Sequence, residues 1–295
     1  MKPKSLKAIL GENLEEKDIP RAFDVIGDIA IIEIAQGMQK HEKTIAATLL
    51  EAHKNLKVVC KKAGIHEGVF RTQQLKWLAG EKRKITVHKE NGVSLKLDVE
   101  QVYFSPRSAT ERLRIAKQLK ANESILVMFA GCGPFPLVFL KAQPLLQKIV
   151  AIELNPIAVK YFKENLLLNK SIARTYSKAV SKEDLHEAMK EKVQISEGDV
   201  KNIVPSLKEK FDRILMPLPR GGEPFLTTAL SAAQPGTILH FYDFLNEVDF
   251  EQAEDKVDKA CKEVHLGYKK IALVKCGQFG PGIFRICLDV IITKG

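Results

Sequence analysis

The sequence is short of the features that mark metal-bound or disulfide-rich proteins. Only five of its 295 residues are cysteines, and no two of them form a CxxC pair. Structural zinc sites and disulfide frameworks are usually built from such closely spaced cysteines. The pattern therefore predicts reduced thiols, no metal site and no disulfide-stabilised fold.

Long apolar runs are also missing. Hydrophobic residues make up 45% of the chain, but charges interrupt every run well before the roughly 20 residues that a membrane-spanning helix needs. The N-terminus, MKPKSLKAILGENLEEKD, has too few consecutive apolar residues for a secretory signal. These absences predict a cytoplasmic protein without membrane contact.

Acidic residues are outnumbered by basic ones. The chain has 46 Lys and Arg against 36 Asp and Glu, which gives a formal net charge of +10. A basic surface attracts phosphates over long distances, so this balance favours a nucleic acid as partner. Between positions 71 and 96, seven basic residues are accompanied by only two acidic ones.

Two different patterns of secondary structure divide the chain. Residues 23–34 predict two short strands, and Asn91-Gly92 predicts the turn of a β-hairpin. Residues 1–100 are therefore predicted to form a small α+β domain with antiparallel strands, able to bind RNA. Residues 101–295 alternate strands with helices, which is typical of an α/β fold with a parallel, doubly wound sheet.

The last two predicted strands have no helix between them. They cover residues 269–274 and 286–292, and the segment CGQFGPG connects them. This arrangement predicts a terminal antiparallel hairpin. A Rossmann-like sheet that ends in such a hairpin is characteristic of class I methyltransferases, so we expect that fold for the second domain.

A cofactor loop is predicted where the first strand of this second domain ends. Gly131 and Gly133 follow the apolar run ILVMF, and the next predicted strand ends in Glu153. Glycines let the backbone approach a ligand closely, and an acid at that place typically accepts hydrogen bonds from ribose hydroxyls. The third glycine of a pyrophosphate-binding GxGxxG loop is replaced by Pro136. Together with Asp199 at the next strand end, the pattern favours S-adenosylmethionine over NAD.

Several longer motifs in a fixed order resemble those of one enzyme family. They are VIGDIAIIEI, RTQQLKWLAGE, HKENGVSLKLDV, YFSPRxxTER, MFAGxGPF, a strand-terminal acid before Asn155-Pro156, and a late motif ending in Leu-Pro. In this combination they are similar to the archaeal and eukaryotic tRNA (guanine-N1)-methyltransferases, which methylate guanosine 37 beside the anticodon. The resemblance runs from about Phe23 to the C-terminus. It implies S-adenosylmethionine as cofactor and the anticodon loop of tRNA as partner.

The resemblance also implies roles for individual residues. Glu111 matches the general base, and Arg71 matches an arginine that hydrogen-bonds the guanine O6. The positions that match the cofactor pocket are Arg112, Phe129, Ala130, Gly131, Gly133, Glu153, Leu154, Asp199, Val200 and Pro217. The positions that match contacts to the target base and the nearby backbone are Tyr103, Ser105, Pro106, Arg107 and Pro219.

The chemistry of N1 methylation requires residues of these types. Guanine N1 is a poor nucleophile until its proton leaves, so a carboxylate within hydrogen-bond reach can serve as the base. Loss of the proton increases the negative charge on O6, which a fixed guanidinium stabilises. The sulfonium of the cofactor carries an activated methyl group, so no metal is required. The target base must first leave its stack.

Other interpretations remain open from the residues alone. Glu111 with Arg107, Arg112 and Arg114 could form a charged cluster on a helix surface, without a catalytic role. Arg71 could be a generic surface cation.

Two positions depart from the family pattern. Val127 stands where an aspartate usually precedes MFAG, so a carboxylate near the methionine part of the cofactor is missing. Pro217 stands where an asparagine is usual, and proline offers neither a side-chain donor nor a backbone N–H. Only about twenty residues precede the first predicted strand, so we expect no additional N-terminal domain that checks the outer corner of tRNA.

These departures leave two alternative functions. One is a related transferase of tricyclic-base (wyosine) biosynthesis, which would transfer a methyl or an aminocarboxypropyl group from the same cofactor. The other is a catalytically inactive relative that binds RNA. Intact Glu111, Arg71 and Glu153 favour N1 methylation. We expect a monomer.

Overall fold

Two compact units, each with its own apolar core, make up the protein. The computed structural model describes residues 23–64, 68–172, 189, 191–218 and 221–295. The first unit contains the described residues up to Glu90 together with Ser94–Pro106. The second contains Asn91–Val93 and the described residues from Arg107 to Gly295.

A four-stranded sheet and one helix form the centre of the first unit. The elements are β1 (Asp24–Ile26), β2 (Ile29–Ile32), α1 (Glu42–Ala52), β3 (Val58–Lys62) and β4 (Leu75–Gly80). The sheet order is β1-β2-β3-β4, and Ile45, Ala46 and Leu49 of α1 are fully buried in its core. The β2–β3 pair is parallel, so the prediction of antiparallel strands is wrong for this pair. The reason is that α1 lies between them in the chain and makes the crossover that a parallel pair needs.

Strand β4 was not predicted, because its side chains do not alternate. The register shifts between Val59 and Cys60 of β3, which leaves Leu78 as an extra residue in β4. Both Lys76 and Trp77 are exposed. The Asn-Gly hairpin, in contrast, is present as β5 (Ile85–Glu90) and β6 (Val93–Asp98). Its turn residues have φ angles of 46° and 75°, the sign that a type I′ turn requires at both positions.

The second unit is a seven-stranded sheet with helices between its strands. Its elements in chain order are α2 (Ala109–Ala116), β7 (Ser124–Met128), α3 (Pro134–Ala142), β8 (Lys148–Glu153), α4 (Pro156–Leu168), β9 (Val193–Glu197), α5 (Val200–Leu207), β10 (Arg213–Met216), α6 (Leu226–Ser231), β11 (Ile238–Asn246), α7 (Gln252–Glu263), β12 (Leu266–Gly280) and β13 (Ile283–Lys294).

The order of this sheet is β12-β13-β11-β10-β7-β8-β9. Strand β13 is antiparallel to both neighbours, and the remaining pairs are parallel. The predicted doubly wound sheet with a terminal antiparallel hairpin is therefore confirmed. No helix among the residues that the structure describes is long and apolar enough to cross a membrane.

Two details of this unit differ from the prediction. The segment expected to connect the last two strands mostly belongs to β12, which continues to Gly280 through three shifts of register. Such bulges interrupt the alternation by which a strand is recognised in a sequence. Helix α5 was not predicted, because it contains Pro205, a residue that usually interrupts a helix.

Candidate active site

The loop between β7 and α3 lies where the strand order of the large sheet reverses. Connections from β7 and β10 leave in opposite directions at such a point, and ligands bind in the resulting crevice. Phe129, Gly131 and Gly133 have φ angles of 56°, 58° and 88°. For Phe129 this left-handed conformation costs about 1–2 kcal/mol, and strain of this kind clusters at ligand sites. Its ring packs edge-on against Phe225, with the centroids 5.0 Å apart.

Glu153, at the end of β8, connects this loop to the next one. Its Oε2 accepts a hydrogen bond from the Gly131 N–H at 2.7 Å, and its Oε1 accepts one from the Asn155 N–H at 2.8 Å. Burial raises the pKa of the Glu153 carboxyl, and the backbone hydrogen bonds oppose that increase. Each oxygen has a second lone pair that can accept a ribose hydroxyl. The site therefore fits the adenosine part of S-adenosylmethionine.

The end of β9 is also hydrogen-bonded to Glu153. The Gly198 N–H donates to the Glu153 carbonyl oxygen at 2.9 Å. Asp199 then begins α5 and accepts a hydrogen bond from the Lys201 N–H at 2.9 Å. The next side chain, that of Val200, is buried in the core. Glu153 thus connects the cofactor loop at Gly131 with the turn that precedes Asp199.

The two departures from the family pattern lie in different surroundings. Val127 is fully buried inside β7, where it pairs with Ala151 of β8 and Leu215 of β10. Pro217 is half-buried directly after β10. Pro219, the last of the predicted substrate contacts, lies outside the described residues.

Glu111 is buried, so the surface-cluster interpretation is wrong for it. Only 5% of Glu111 is exposed. The Arg114 Nε donates to Oε2 at 2.7 Å and Nη2 donates to Oε1 at 2.8 Å. The Tyr242 hydroxyl also donates to Oε1, at 2.7 Å. Burial raises the pKa of Tyr242 well above its ordinary value, so it remains a donor.

The two arginines on either side of Glu111 differ in exposure. Arg112 is only 3% exposed, and its guanidinium carbon lies 5.9 Å from the centre of the Phe135 ring. Arg107 is exposed in a short 3-10 turn. The Phe135 ring also lies beside Tyr242, with the centroids 6.3 Å apart. Since Phe135 follows Gly133 by two residues, both contacts connect Glu111 to the end of the predicted cofactor loop.

A row of buried charged groups continues from Arg114. Its Nη1 donates to Oδ2 of Asp289 at 2.5 Å, and Oδ1 of Asp289 lies 2.6 Å from Nδ1 of His240. Nε2 of His240 lies 2.7 Å from Nη1 of Arg213. Arg213 also holds both carboxylate oxygens of Glu123, each at 3.0 Å. We call Glu111, Arg114, Asp289, His240, Arg213 and Glu123 the buried charge network.

The hydrogen bonds determine the protonation of His240. A guanidinium can only donate, so Nε2 accepts from Arg213, and the ring proton is on Nδ1, which donates to Asp289. Burial lowers the pKa of His240 in spite of its bond to Asp289, so the ring is neutral. Burial alone would raise the pKa of Asp289, but hydrogen bonds from His240 and Arg114 outweigh it and hold that pKa well below its usual range.

Three residues near this network have the composition of a metal site. The ligand atoms of His240, Cys287 and Asp289 lie within 4.8 Å of one another. However, both ring nitrogens of His240 are already hydrogen-bonded, and Arg114 and Arg213 contribute two positive charges beside them. A cation there would be repelled, so His240 and Asp289 belong to the charge network, and the Cys287 thiol beside them donates to Oδ1 of Asp289 at 3.1 Å.

The remaining predicted substrate contacts lie in the first unit. Arg71 is half-buried in a turn, with a φ of 51° and its N–H donating to the Gly68 carbonyl at 3.2 Å. Tyr103, Ser105 and Pro106 are also half-buried.

The first unit also has an open cleft of about 570 Å³. Among its lining residues are the basic side chains of Arg83, Lys89 and Lys96. Arg83 is held in place by Asp28, which accepts from Nη1 at 2.9 Å and from Nη2 at 2.6 Å. The cleft thus brings together three of the seven basic residues counted between positions 71 and 96.

Sequence reasoning missed Tyr242 as a hydrogen-bond partner of Glu111, and it missed His240 and Asp289 as members of the buried charge network. A signal was present for two of them. His240 stands in the run ILHFY and Asp289 in the run ICLDVII. A polar or charged residue within an apolar strand needs a buried partner, because burial without one is costly. The sequence of these runs does not show which residue is the buried partner.

Comparison with known protein families gives two matches. The TRM5/TYW2 methyltransferase domain matches residues 86–269, more than half of the chain. The TYW2 N-terminal domain matches residues 4–83.

Several curated relatives are similar over nearly the whole chain. The tRNA (guanine(37)-N(1))-methyltransferase Trm5b of Pyrococcus abyssi is 38% identical, covering 98% of this chain and 80% of the relative. The tRNA (guanine(37)-N(1))/4-demethylwyosine(37)-methyltransferase Taw22 of Nanoarchaeum equitans is 33% identical, covering 91% and 99%. The tRNA(Phe) (4-demethylwyosine(37)-C(7)) aminocarboxypropyltransferase of Pyrococcus horikoshii is 30% identical, covering 100% and 98%.

Solved structures agree with these similarities. Trm5b from Pyrococcus abyssi superposes with a TM-score of 0.83 at 34% identity, covering 99% of this chain and 82% of the other. The complex of aTrm5 and tRNALeu gives 0.82 at 29% identity, covering 99% and 79%. TYW2 of Pyrococcus horikoshii in complex with MeSAdo gives 0.77 at 26% identity, covering 98% of both chains.

Proposed function

Because the chain belongs to the TRM5/TYW2 methyltransferase domain family, we propose that it methylates N1 of guanosine 37 in tRNA, next to the anticodon. It is an S-adenosylmethionine-dependent tRNA methyltransferase, and the specificity for guanine N1 is the proposal. Its principal support is the placement of Glu111, a buried carboxylate connected through Tyr242 and Arg112 to the end of the cofactor loop.

The proposed mechanism assigns the proton transfer to Glu111. When bound, S-adenosylmethionine supplies a methyl group on a positively charged sulfur, already activated for transfer. Glu111 accepts the N1 proton, and the electron pair left on N1 attacks the methyl group. Arg114 and Tyr242 orient the carboxylate through three hydrogen bonds. Glu153 accepts hydrogen bonds from the ribose hydroxyls of the cofactor.

The proposed contacts to RNA rest on the family resemblance and on charge. Arg71 donates to guanine O6 and stabilises the negative charge that forms there. The residues proposed to hold the base and its backbone are Tyr103, Ser105, Pro106, Arg107 and Pro219. Lys89 and Lys96 of the basic cleft contact tRNA phosphates.

A second candidate function is a transferase step of wyosine synthesis. Taw22 is 33% and the aminocarboxypropyltransferase 30% identical to this chain, and the TYW2 N-terminal domain matches residues 4–83. Pro217 also leaves room for a different purine edge, since it replaces the usual asparagine. The substrate would then be a modified guanosine at the same position of tRNA.

The test is transfer to tRNA that carries guanosine or adenosine at position 37, followed by mass spectrometry of the nucleosides. We expect 1-methylguanosine from the first substrate and no product from the second. Addition of an aminocarboxypropyl mass, or activity only on a wyosine intermediate, would establish the second candidate instead.

The roles of Glu111 and Arg71 are tested by substitution. Glu111→Gln is expected to lower the single-turnover rate by about 10²- to 10⁴-fold, while calorimetry shows unchanged cofactor binding. Arg71→Ala is expected to lower the same rate, whereas Glu263→Gln, on the exposed surface of α7, serves as the matched control. Wild-type rates for both site variants would refute the mechanism.

A further inference from the structure

The buried charge network does not balance its own charge. Its three carboxylates are Glu111, Asp289 and Glu123, and its two guanidinium groups belong to Arg114 and Arg213. His240 is neutral, so within these six residues three carboxylates face two guanidinium groups, which leaves one negative charge in excess, and Arg112, next to Glu111 and only 3% exposed, is a further buried cation beside them. A buried charge without a counter-charge is costly. An excess negative charge is, however, what a base needs before it takes up a proton.

The hydrogen bonds show where this excess lies. Arg213 holds both oxygens of Glu123, so these two charges form a balanced pair. Arg114 is shared between two carboxylates, with two hydrogen bonds to Glu111 and two to Asp289. The excess is therefore divided between Glu111 and Asp289.

His240 decides between these two carboxylates. Its Nδ1–H donates to Asp289, and its other nitrogen accepts from Arg213, so the ring cannot turn or take up a second proton without breaking this bond. Asp289 thus accepts hydrogen bonds from Arg114 of α2, from His240 of β11 and from the Cys287 thiol of its own strand. His240 is 0% and Asp289 1% exposed. Asp289 stays ionised, and Glu111 is left as the carboxylate that can accept a proton.

We propose that Asp289 and Arg114 are positioning residues for the general base Glu111, with His240 and Arg213 holding Asp289 in its ionised form. Arg114 orients the Glu111 carboxylate through two hydrogen bonds, and Asp289 shares the charge of Arg114 through two more. In the reaction the N1–H bond breaks, the proton forms an O–H bond on Glu111, and the network becomes neutral. The inference rests on the proposed function of Glu111.

Other groups that face Glu111 do not compete for the proton. Tyr242 of β11 donates to it. Cys276 of β12 and Cys287 of β13 also lie near it, and burial raises the pKa of both thiols, so they are neutral. Arg112, on the same helix as Glu111, lies over the Phe135 ring.

The test is the pH dependence of the single-turnover rate with saturating tRNA and cofactor. In Asp289→Asn the charge of Arg114 acts on Glu111 alone, which makes Glu111 a weaker base. We expect the acid limb of the profile to move to lower pH by about one unit or more, with a plateau lowered about tenfold or more. In Arg114→Gln the cation is lost, so the acid limb moves to higher pH.

Arg114→Lys keeps the charge but not the two-point contact. It is expected to return the acid limb towards its wild-type position while the rate stays low, because Lys holds a carboxylate through a single point. Lys262→Ala, in an exposed ion pair with Asp258 on α7, is the control with an unchanged profile. Thermal unfolding and cofactor calorimetry show whether each variant is folded. If Arg114→Gln does not fold, the pH profiles of Asp289→Asn and Arg114→Lys test the inference.

The outcomes separate the inference from the proposed function. If the wild-type protein does not methylate guanosine 37, the proposed function is wrong. If it does, but Asp289→Asn keeps the wild-type acid limb or lowers the rate at every pH by the same factor, Asp289 has only a structural role and the inference is overturned. An acid limb that persists in Glu111→Gln would also overturn it, because another group would then be the base.

Discussion

Gly133 offers a sharp test of how the cofactor loop is built. It has a φ of 88°, and a Cβ added to it would lie 2.2 Å from Cδ2 of Phe162. Phe162 belongs to α4 and is fully buried, so its ring has no free space to enter. Gly133→Ala must therefore displace the loop, the ring or both.

The size of the effect follows from two separate costs. A residue with a Cβ in the left-handed region costs about 1–2 kcal/mol. Forcing an extra carbon into a filled core costs about 1–3 kcal/mol. The free energy of unfolding should fall by about 2–5 kcal/mol, with a decrease of about 10 °C in Tm. Because Gly133 immediately precedes α3 in the loop, the affinity for S-adenosylmethionine should fall as well.

Gly236 provides the matched control for Gly133. It has a similar φ of 100°, but a Cβ added there has nothing within 4 Å. Gly236→Ala therefore measures the backbone cost alone, and the difference between the two variants measures the clash with Phe162. Thermal unfolding and cofactor calorimetry are the assays. If the two variants unfold at the same temperature and bind the cofactor equally well, the argument from Phe162 is refuted.

Three further predictions concern other parts of the protein. Glu153→Gln should weaken cofactor binding about 10-fold or more. Burial raises the pKa of Glu153, and its ionised form accepts the ribose hydroxyls, so wild-type affinity should also decline as the pH falls towards that pKa. A constant affinity in calorimetry would contradict this. The double variant Lys89→Glu, Lys96→Glu should bind tRNA with a weaker salt dependence. In anisotropy titrations the slope of log binding constant against log salt concentration should decrease by about 0.7–0.9 per lost phosphate contact. An unchanged slope would show that the cleft does not contact tRNA. Tyr242→Phe takes one donor from a buried carboxylate, so it should lower the free energy of unfolding by about 1.5–3 kcal/mol together with the methylation rate, and full stability would show that the hydroxyl bond to Glu111 contributes nothing.

The cofactor loop shows what could be predicted from local sequence. A strand, a turn with glycines and a helix follow one another within a short stretch, and an acid ends the next strand. The carboxyl ends of neighbouring parallel strands meet at one edge of a sheet, so Gly131 and Glu153 were expected to lie close together. Their hydrogen bond at 2.7 Å shows that they do. Their roles towards the cofactor remain predictions.

The surroundings of Glu111 could not be predicted in this way. Tyr242 is 131 residues away in the chain, and Asp289 is 175 residues from Arg114. From the residues alone, without the family resemblance, a surface cluster of charges was the favoured interpretation of Glu111. The burial of Glu111 excludes it, and burial depends on elements that are distant in sequence.

The sequence by itself determined the class of fold, the position of the cofactor loop and the identity of the candidate base, because alternating strands and helices, glycines and ordered motifs are local properties of a chain. Only the tertiary structure decided which charges surround that base. Antiparallel pairing of β11 with β13 sets His240 directly opposite Asp289, and α2 then places Arg114 between Asp289 and Glu111. A shift of one residue in that register would turn these side chains to the other face of the sheet, and the pairing joins residues that are 49 positions apart in the chain.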